Sequence, residues 1–173
     1  RRINGFSKYV SAVVPQTSSS TEQVLMVATF GDFVVAARGE KIFTATAGGS
    51  SWTERDTGRT SAGTYAFERF NFDGNNKLIV VDGANAPTVF NTAMSATDVS
   101  NSDVAGSKFV AAFKSHMFYA GKSSTPQTLV FSVPFDEDDF TGGSGAGSIK
   151  VDDTITGLKV FRDNLFIFCE NRI

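Results

Sequence analysis

The sequence predicts an all-β protein that resembles a β-propeller, with about three to four blades of antiparallel strands of which the last is incomplete. Seventeen phenylalanines and sixteen glycines among 173 residues, together with many Val, Ile and Thr, favour strands joined by tight turns. No stretch keeps apolar residues at helical spacing for three turns, so we expect little helix. A repeat sets the number of blades.

The repeat is a short pattern that occurs four times, with a phenylalanine, a polar turn and then an apolar run. The copies are ATFGDFVVAARGEKIF, ERFNFDGNNKLIVVDG, AAFKSHMFYAGK and KVFRDNLFIFCENRI, with anchors at Phe30, Phe70, Phe113 and Phe161. The anchors are 40, 43 and 48 residues apart, and propeller blades of four strands have roughly 40–50 residues. The predicted turns are Gly31-Asp32, Asp73 to Asn76, Ser115-His116 and Asp163-Asn164.

Each anchor is expected to face the layer between two blades. The apolar runs, such as LIVV and LFIF, predict strands that neighbouring sheets cover on both faces. A blade is expected to contain strand, turn, strand, turn, strand and a more irregular fourth element. The predicted organisation is an N-terminal arm or closing strand at 1–22 and a propeller region at 23–173, with blade units at about 23–62, 63–106, 107–150 and, in part, 151–173.

The last repeat stops one strand early, because Ile173 aligns with Ile42 of the first repeat. Folded proteins cover an open apolar strand edge. We therefore expect either that the chain is part of a longer polypeptide or that the N-terminal FSKYVSAVV closes the last blade.

Charge and composition argue against several classes of function. The formal net charge is -2 at pH 7, with both signs spread along the chain, so no basic field attracts nucleic acid or an anionic membrane. The single Cys169 and the single His116 leave no internal disulfide and no Cys/His set for zinc. The apolar stretches are shorter than the roughly 20 residues that span a bilayer. We expect no cofactor and no metal.

Two features could be taken for an enzyme or a sugar-binding site. The stretch TAGGSSWTERDTG resembles the Asp-box hairpin of sialidase-like propellers, but Ala47 replaces the aspartate. We expect Trp52 to pack between blades, and stacking on a sugar is the alternative. His116 lies in a predicted turn with no serine or cysteine partner implied by spacing, which argues against a catalytic triad.

Polar loops are the predicted contact regions. The acids of FSVPFDEDDF are consecutive and lack the alternate spacing of calcium ligands, so they indicate a solvated or partner-facing loop. We predict partner contacts on the loops at 92–107 and 136–150, because binding residues concentrate on loops held by a rigid scaffold. The candidate contact residues are Asp136, Glu137, Asp138, Asp139, Phe6 and Tyr9.

Three segments, taken in order, resemble one family of proteins. They are YAFERFNFDGNNKLIVVDGANAPTVFN, SHMFYAGKSSTPQTLVFSVPFDEDDF and DDTITGLKVFRDNLFIFCENRI. They are similar to the β-propeller region of virion proteins of tailed double-stranded DNA bacteriophages, of the tail nozzle or tail tubular B type, and to related tail hub and ring proteins. The resemblance covers about 110 residues.

The resemblance implies a structural virion protein of the phage tail, not an enzyme, made in the cytoplasm of the host bacterium. It implies a ring of copies around the DNA exit channel that contacts other tail proteins, such as an adaptor, fibre or needle, during DNA ejection. DNA would pass without specific binding, which agrees with the near-neutral charge, and no membrane is involved. A carbohydrate-binding or sialidase-like propeller is the alternative, based on the Asp-box-like turn.

Overall fold

The computed structural model describes residues 8–18 and 22–172 and confirms the all-β fold class. Within these ranges the chain forms three four-stranded antiparallel sheets, one two-stranded sheet and a single short 3-10 helix, Gly142–Ser144. These sheets are consistent with propeller-like blades, and no closure into a ring is seen in the described part of the chain. No helix in that part is long and apolar enough to cross a membrane.

Every sheet follows chain order, so each strand pairs with the one before it. The first sheet contains β1 (Val24–Phe30), β2 (Phe33–Arg38), β3 (Lys41–Thr46) and β4 (Thr53–Asp56). The second contains β5 (Ala66–Phe72), β6 (Asn75–Val81), β7 (Thr88–Phe90) and β8 (Ala96–Asp98). The third contains β9 (Phe109–Phe113), β10 (His116–Ala120), β11 (Thr128–Phe131) and β12 (Gly147–Lys150). The last contains β13 (Ile155–Phe161) and β14 (Asn164–Cys169).

A two-residue turn joins the first two strands of every sheet. The closing pairs are Phe30–Phe33, Phe72–Asn75, Phe113–His116 and Phe161–Asn164. The phenylalanine equivalent to Phe30 in the second sheet is therefore Phe72, and the alignment on Phe70 was wrong by two residues. Side chains alternate with a period of two along a strand, so both rings lie on one face, with centroids 4.8 Å apart. With Phe72, the equivalent positions are 42, 41 and 48 residues apart.

The predicted turns agree with the structure only in part. Gly31-Asp32 forms the first turn as predicted, and Asp73-Gly74 forms the second, while Asn75 and Asn76 already belong to β6. The third and fourth turns lie one residue earlier than predicted, because His116 begins β10 and Asn164 begins β14. Neither of these turns contains the glycine that marks a tight hairpin in sequence.

The chain divides into two compact units, 1–61 and 62–173. The first unit contains the first sheet, in which Val35, Ala36 and Ala37 of β2 are fully buried. Its N-terminal residues 8–18 form no strand. They are bonded to the loop after β3 through the Ser11 N–H, which donates to the Gly49 carbonyl (3.1 Å). The predicted closing strand, FSKYVSAVV, is thus not seen in residues 8–14, and its first two residues lie outside the described residues.

The three sheets of the second unit share two apolar cores. One face of β6 contributes Ile79 and Val81 to a core that also contains Met117 and Tyr119 of β10. The opposite face of the third sheet forms a second core with one face of the β13–β14 hairpin. That core contains Ala120, Leu129 and Ile155, with Phe118, Leu165, Ile167 and Cys169 packed against it. The first strands also adjoin, β5 with β9 and β9 with β13. This is the stacking expected of blades within a propeller.

Candidate functional site

The predicted acidic loop is the connection between β11 and β12, and its base is closed by hydrogen bonds. The Val133 N–H donates to the Asp139 carbonyl (2.8 Å), which draws the two ends of the acidic segment together. The Phe135 N–H donates to the Ser115 carbonyl (2.7 Å), so the loop is also fastened to the β9–β10 turn. The buried Ser132 hydroxyl accepts a hydrogen bond from the Met117 N–H (3.0 Å). The loop is therefore held by the third sheet at its base.

Glu137 anchors the middle of this loop instead of facing solvent. Its side chain is buried, and its carboxylate forms an ion pair with the ammonium group of Lys77 on β6. Its carbonyl accepts a hydrogen bond from the hydroxyl of the fully buried Tyr119 (2.9 Å). Burial, followed by the nearby charge of Glu137, raises the pKa of Tyr119 well above its usual value, so this hydroxyl keeps the proton that it donates. Glu137 thus connects the second and third sheets.

The three aspartates of the loop also make local hydrogen bonds. Asp136 accepts from the Asp138 N–H (3.0 Å), and Asp139 accepts from the Thr141 N–H (2.8 Å). The bonds from Thr141 lower the pKa of Asp139. Asp138 accepts from the Ser100 N–H (2.8 Å), which joins the two predicted contact loops, 92–107 and 136–150. Of the four acids, only Asp136 and Asp138 have exposed side chains.

A cleft of about 250 Å³ lies where this loop meets the second sheet. Its polar lining includes Lys77, Asn91, Thr97, Asp98, Glu137 and Asp138. The Lys77 ammonium is paired with Glu137, and Asp98 accepts a hydrogen bond from the Thr88 hydroxyl (2.7 Å). Among residues 8–18 and 22–172, no three His, Cys, Asp or Glu side chains are arranged to hold a metal ion. The cleft can receive a cationic or hydrogen-bonding side chain of a partner protein.

The other sequence-predicted candidates are not among the residues that line this cleft. Tyr9 belongs to the first unit, where its ring is exposed and its carbonyl accepts from the Gly48 N–H (2.8 Å). Phe6 lies outside the described residues. His116 contacts the Ser132 carbonyl through Nδ1 (2.6 Å), and its ring is 5.7 Å from that of Phe131, in an edge-on arrangement. The structure therefore brings two of the four acidic-loop candidates, Glu137 and Asp138, to one cleft with residues of the 92–107 loop.

The Asp-box-like turn is tied to the N-terminal segment of the first unit. The Trp52 indole N–H donates to the Ala12 carbonyl (3.1 Å), and the side chain is half-buried. Sugar-stacking tryptophans present a ring face to solvent and often use this N–H for the ligand. The Ala12 carbonyl already accepts from this N–H, and the partial burial leaves only part of the side chain open to a sugar.

Sequence reasoning missed an exposed aromatic surface on the last sheet, which we call the β13–β14 aromatic face. It is formed by Phe161, Phe166 and Phe168, whose exposed fractions are 60%, 37% and 37%. The run LFIF was expected to be covered on both sides, and the anchor Phe161 was expected to lie between blades; both expectations are wrong in the described structure. The available signal was the period of two, which separates Phe166 and Phe168 from the core residues Leu165 and Ile167.

Comparison of the chain with protein-family models, with curated proteins and with solved structures finds no match. The functional proposal therefore rests on the structure of the chain itself. Two features stand out, the closed acidic loop beside its cleft and the β13–β14 aromatic face. The first is polar and the second is apolar.

Proposed function

We propose that this chain is a structural, non-enzymatic module of a bacteriophage tail. In this proposal it forms a propeller-type part of a nozzle, hub or ring, which assembles with copies of itself and with other tail proteins around the DNA exit channel. The observation that carries the proposal is the second unit, in which similar sheets stack and the last sheet exposes an aromatic face. Exposed groups of apolar side chains often mark protein contacts.

The contacts of the chemically active side chains support an assembly role. Glu137 is buried in an ion pair, and His116 packs among aromatic rings and bonds to a backbone carbonyl. A general acid or base has to reach a substrate through an open hydrogen-bonding position. The Glu137 carboxylate and the His116 Nδ1 use that capacity to fasten the acidic loop and the third sheet.

The charge distribution is compatible with a DNA conduit. The net charge is -2, and the exposed carboxylates Asp136 and Asp138 add negative charge to the loop surface. Proteins that hold DNA use Lys and Arg to neutralise phosphates, and their binding weakens steeply with salt. DNA slides more easily through a channel whose wall does not bind its phosphates tightly.

The test is to look for this polypeptide in purified virions from its natural source. Trypsin releases residues 78–108 as one peptide, because no Lys or Arg lies between Lys77 and Lys108. We expect mass spectrometry to detect this peptide at a stoichiometry of several copies per particle. Gold-labelled antibodies should then mark the tail and not the head.

Two results would overturn the proposal. One is absence of the peptide from intact virions while it is abundant in the infected-cell lysate. The other is specific binding to a glycan panel that is lost in Trp52→Ala and kept in Tyr9→Ala, which would favour the carbohydrate-binding alternative. Tyr9 serves as the control because it is an exposed aromatic residue of the same unit.

A further inference from the structure

The cleft beside the acidic loop has the size of a site for a single side chain. The β7–β8 hairpin contributes Thr97 and Asp98 to its lining, and the acidic loop contributes Glu137 and Asp138. Its volume of about 250 Å³ is smaller than the roughly 300–1,000 Å³ of pockets that hold drug-sized ligands. The cleft therefore suits one side chain of a protein better than a cofactor.

The charges of the lining favour a cation. Among the described residues that line the cleft, Lys77 alone is cationic, and its ammonium group is paired with the buried carboxylate of Glu137. Asp98 and Asp138 add two carboxylates, and both of these side chains are exposed. An anion would be repelled by these carboxylates, whereas a cation complements them.

The two exposed carboxylates are held in place by the protein itself. Asp98 accepts a hydrogen bond from the hydroxyl of Thr88 (2.7 Å), which is fully buried on β7. Asp138 accepts from the Ser100 N–H (2.8 Å). A carboxylate has about four acceptor positions, so each can serve a ligand as well as its protein donor. Carboxylates that are fixed beforehand lower the entropic cost of binding.

Arginine fits this lining better than lysine or a metal ion. Its guanidinium group has five N–H donors in one plane, which suits two fixed carboxylates on separate elements. Its aliphatic stem can pack against Val89 and Val99, the buried apolar residues of the lining. In the described ranges, 8–18 and 22–172, no three His, Cys, Asp or Glu side chains are arranged for a metal ion.

An exposed aromatic residue on the same loop indicates a protein as the source of the arginine. Phe135, two residues before Glu137, is 53% exposed. Its φ of +66° is a left-handed conformation that is costly for a bulky residue, and its N–H donates to the Ser115 carbonyl (2.7 Å). Strained residues cluster at functional sites, and aromatic residues and arginine are enriched at protein interfaces.

We propose that the cleft and Phe135 form one docking surface for another protein. The partner binds an arginine side chain in the cleft, on the carboxylates of Asp98 and Asp138, and covers Phe135 with an apolar residue close to that arginine. The proposal uses only residues of the second unit. It does not depend on a place in a phage tail, so failure of the virion test above would leave it standing.

The test uses the 173-residue protein and a short peptide, ALRLA, with both ends blocked. A control peptide contains citrulline, which has nearly the shape of arginine and no charge. Amide resonances of the protein are followed by NMR as each peptide is added. We expect ALRLA to shift the resonances of Thr97, Asp98 and Asp138. The citrulline peptide should bind at least about tenfold more weakly, because it lacks the charge that strengthens these hydrogen bonds.

Two aspartates of the acidic loop supply the matched control in the protein. Both Asp136 and Asp138 are exposed, but only Asp138 is among the residues that line the cleft. Asp138→Asn should weaken the binding of ALRLA at least about fivefold, and Asp136→Asn less than about twofold. Thr97→Lys keeps both cleft carboxylates and adds a cation beside them. It should also weaken binding at least about fivefold, which keeps the test valid if Asp138→Asn disturbs the loop.

Phe135→Ser separates the apolar part of the surface from the charged part. It should weaken the binding of ALRLA at least about threefold, because the leucines lose an apolar contact. The binding of N-acetylarginine amide, which has no leucine, should stay unchanged in this variant.

Three outcomes overturn the proposal. The first is equal affinity of the arginine and citrulline peptides. The second is an equal loss of affinity in Asp136→Asn and Asp138→Asn, which would assign binding to the general negative charge of the loop. The third is unchanged binding of ALRLA in Phe135→Ser, which would leave a site for a free cation and no protein-docking surface.

Discussion

Two hairpins of this chain, β5–β6 and β13–β14, have the same local construction and very different surroundings. Both reverse through a two-residue turn, and both return with an apolar run, LIVV in β6 and LFIF in β14. Residues 78–81 of β6 are at most 1% exposed, while Phe166 and Phe168 of β14 are each 37% exposed. The comparison teaches that an apolar run determines a strand, whereas its neighbours determine whether that strand is core or surface.

The reason is visible in the second unit. Ile79 occupies the same register position in β6 as Phe168 does in β14. Each lies four residues after the asparagine that closes its turn, Asn75 in β6 and Asn164 in β14. Ile79 meets the face of the third sheet that carries Met117 and Tyr119. In the described residues no sheet lies on the corresponding face of β14. The two residues therefore form a matched pair for experiments on stability.

The largest expected effect comes from truncating this pair. Ile79→Ala should lower the free energy of unfolding by about 2–5 kcal/mol, because it leaves a cavity in a packed core. Phe168→Ala should lower it by less than about 1 kcal/mol, because the ring is already partly in water. Urea unfolding followed by far-UV circular dichroism measures both. Equal losses would show that the β13–β14 aromatic face is covered in solution.

The second largest effect is expected at an ion pair with a buried carboxylate, compared with an ion pair at the surface. Glu137→Ala should cost about 1.5–3 kcal/mol, because Glu137 is buried and its removal leaves the Lys77 ammonium without its charged partner. Glu54→Ala breaks the exposed pair with Lys41 and should cost at most about 1 kcal/mol. The same urea experiment measures both variants. A smaller loss for Glu137 than for Glu54 would contradict the anchoring role of Glu137.

A smaller effect is expected from the hairpin turns. Asp73-Gly74 and Lys114-Ser115 both have positive φ at each turn residue, a conformation that favours Asn-Gly. Gly74→Ala should destabilise by about 1 kcal/mol through backbone strain alone, since the added Cβ meets no atom within 4 Å. Replacing Lys114-Ser115 by Asn-Gly should stabilise by roughly 0.5–1 kcal/mol. Thermal unfolding of the two variants measures both effects. Shifts of the Tm in the same direction would disprove the turn assignment.

The smallest expected effect is a dependence on pH at Glu68. Burial raises the pKa of this β5 carboxyl, although Lys159 and Arg69 oppose the rise. The folded chain then holds the proton more tightly than the unfolded chain, so the wild-type protein loses stability as pH rises from 4.5, the usual value, through the raised pKa. Glu68→Gln lacks this loss. Its advantage over the wild type should be near zero below pH 4 and grow toward pH 7, as urea midpoints across pH would show.

The hairpins were predictable where a local chemical signal exists. Gly31-Asp32 and Asp73-Gly74 contain the small or polar residues that tight turns favour; the first was placed correctly, and the second is the first half of the predicted turn Asp73 to Asn76. The turns at Lys114-Ser115 and Arg162-Asp163 contain no glycine and were placed one residue late. The prediction of Phe70 in place of Phe72 has a similar cause. Two phenylalanines that lie two positions apart on one strand share a face and fit the repeat equally well.

The candidate site was predictable only in outline. Four consecutive acids indicated a polar loop, and the loop is there, yet its second acid is buried. The partner of Glu137 is Lys77, 60 residues earlier in the chain. A lysine in an apolar strand such as NNKLIVV gives no sign of which carboxylate it will meet, since that depends on how the second and third sheets stack.

The sequence by itself determined the strands, the glycine-containing turns and the fourfold recurrence of one hairpin, because backbone geometry and side-chain alternation depend on residues close together in the chain. Tertiary structure alone decided that Glu137 is an anchor, that Trp52 bonds to Ala12 and that Phe166 and Phe168 face solvent. Burial is a property of the neighbours that a strand acquires, and those neighbours come from distant segments. The same kind of apolar run can therefore be buried on both faces in one sheet and exposed on one face in the next.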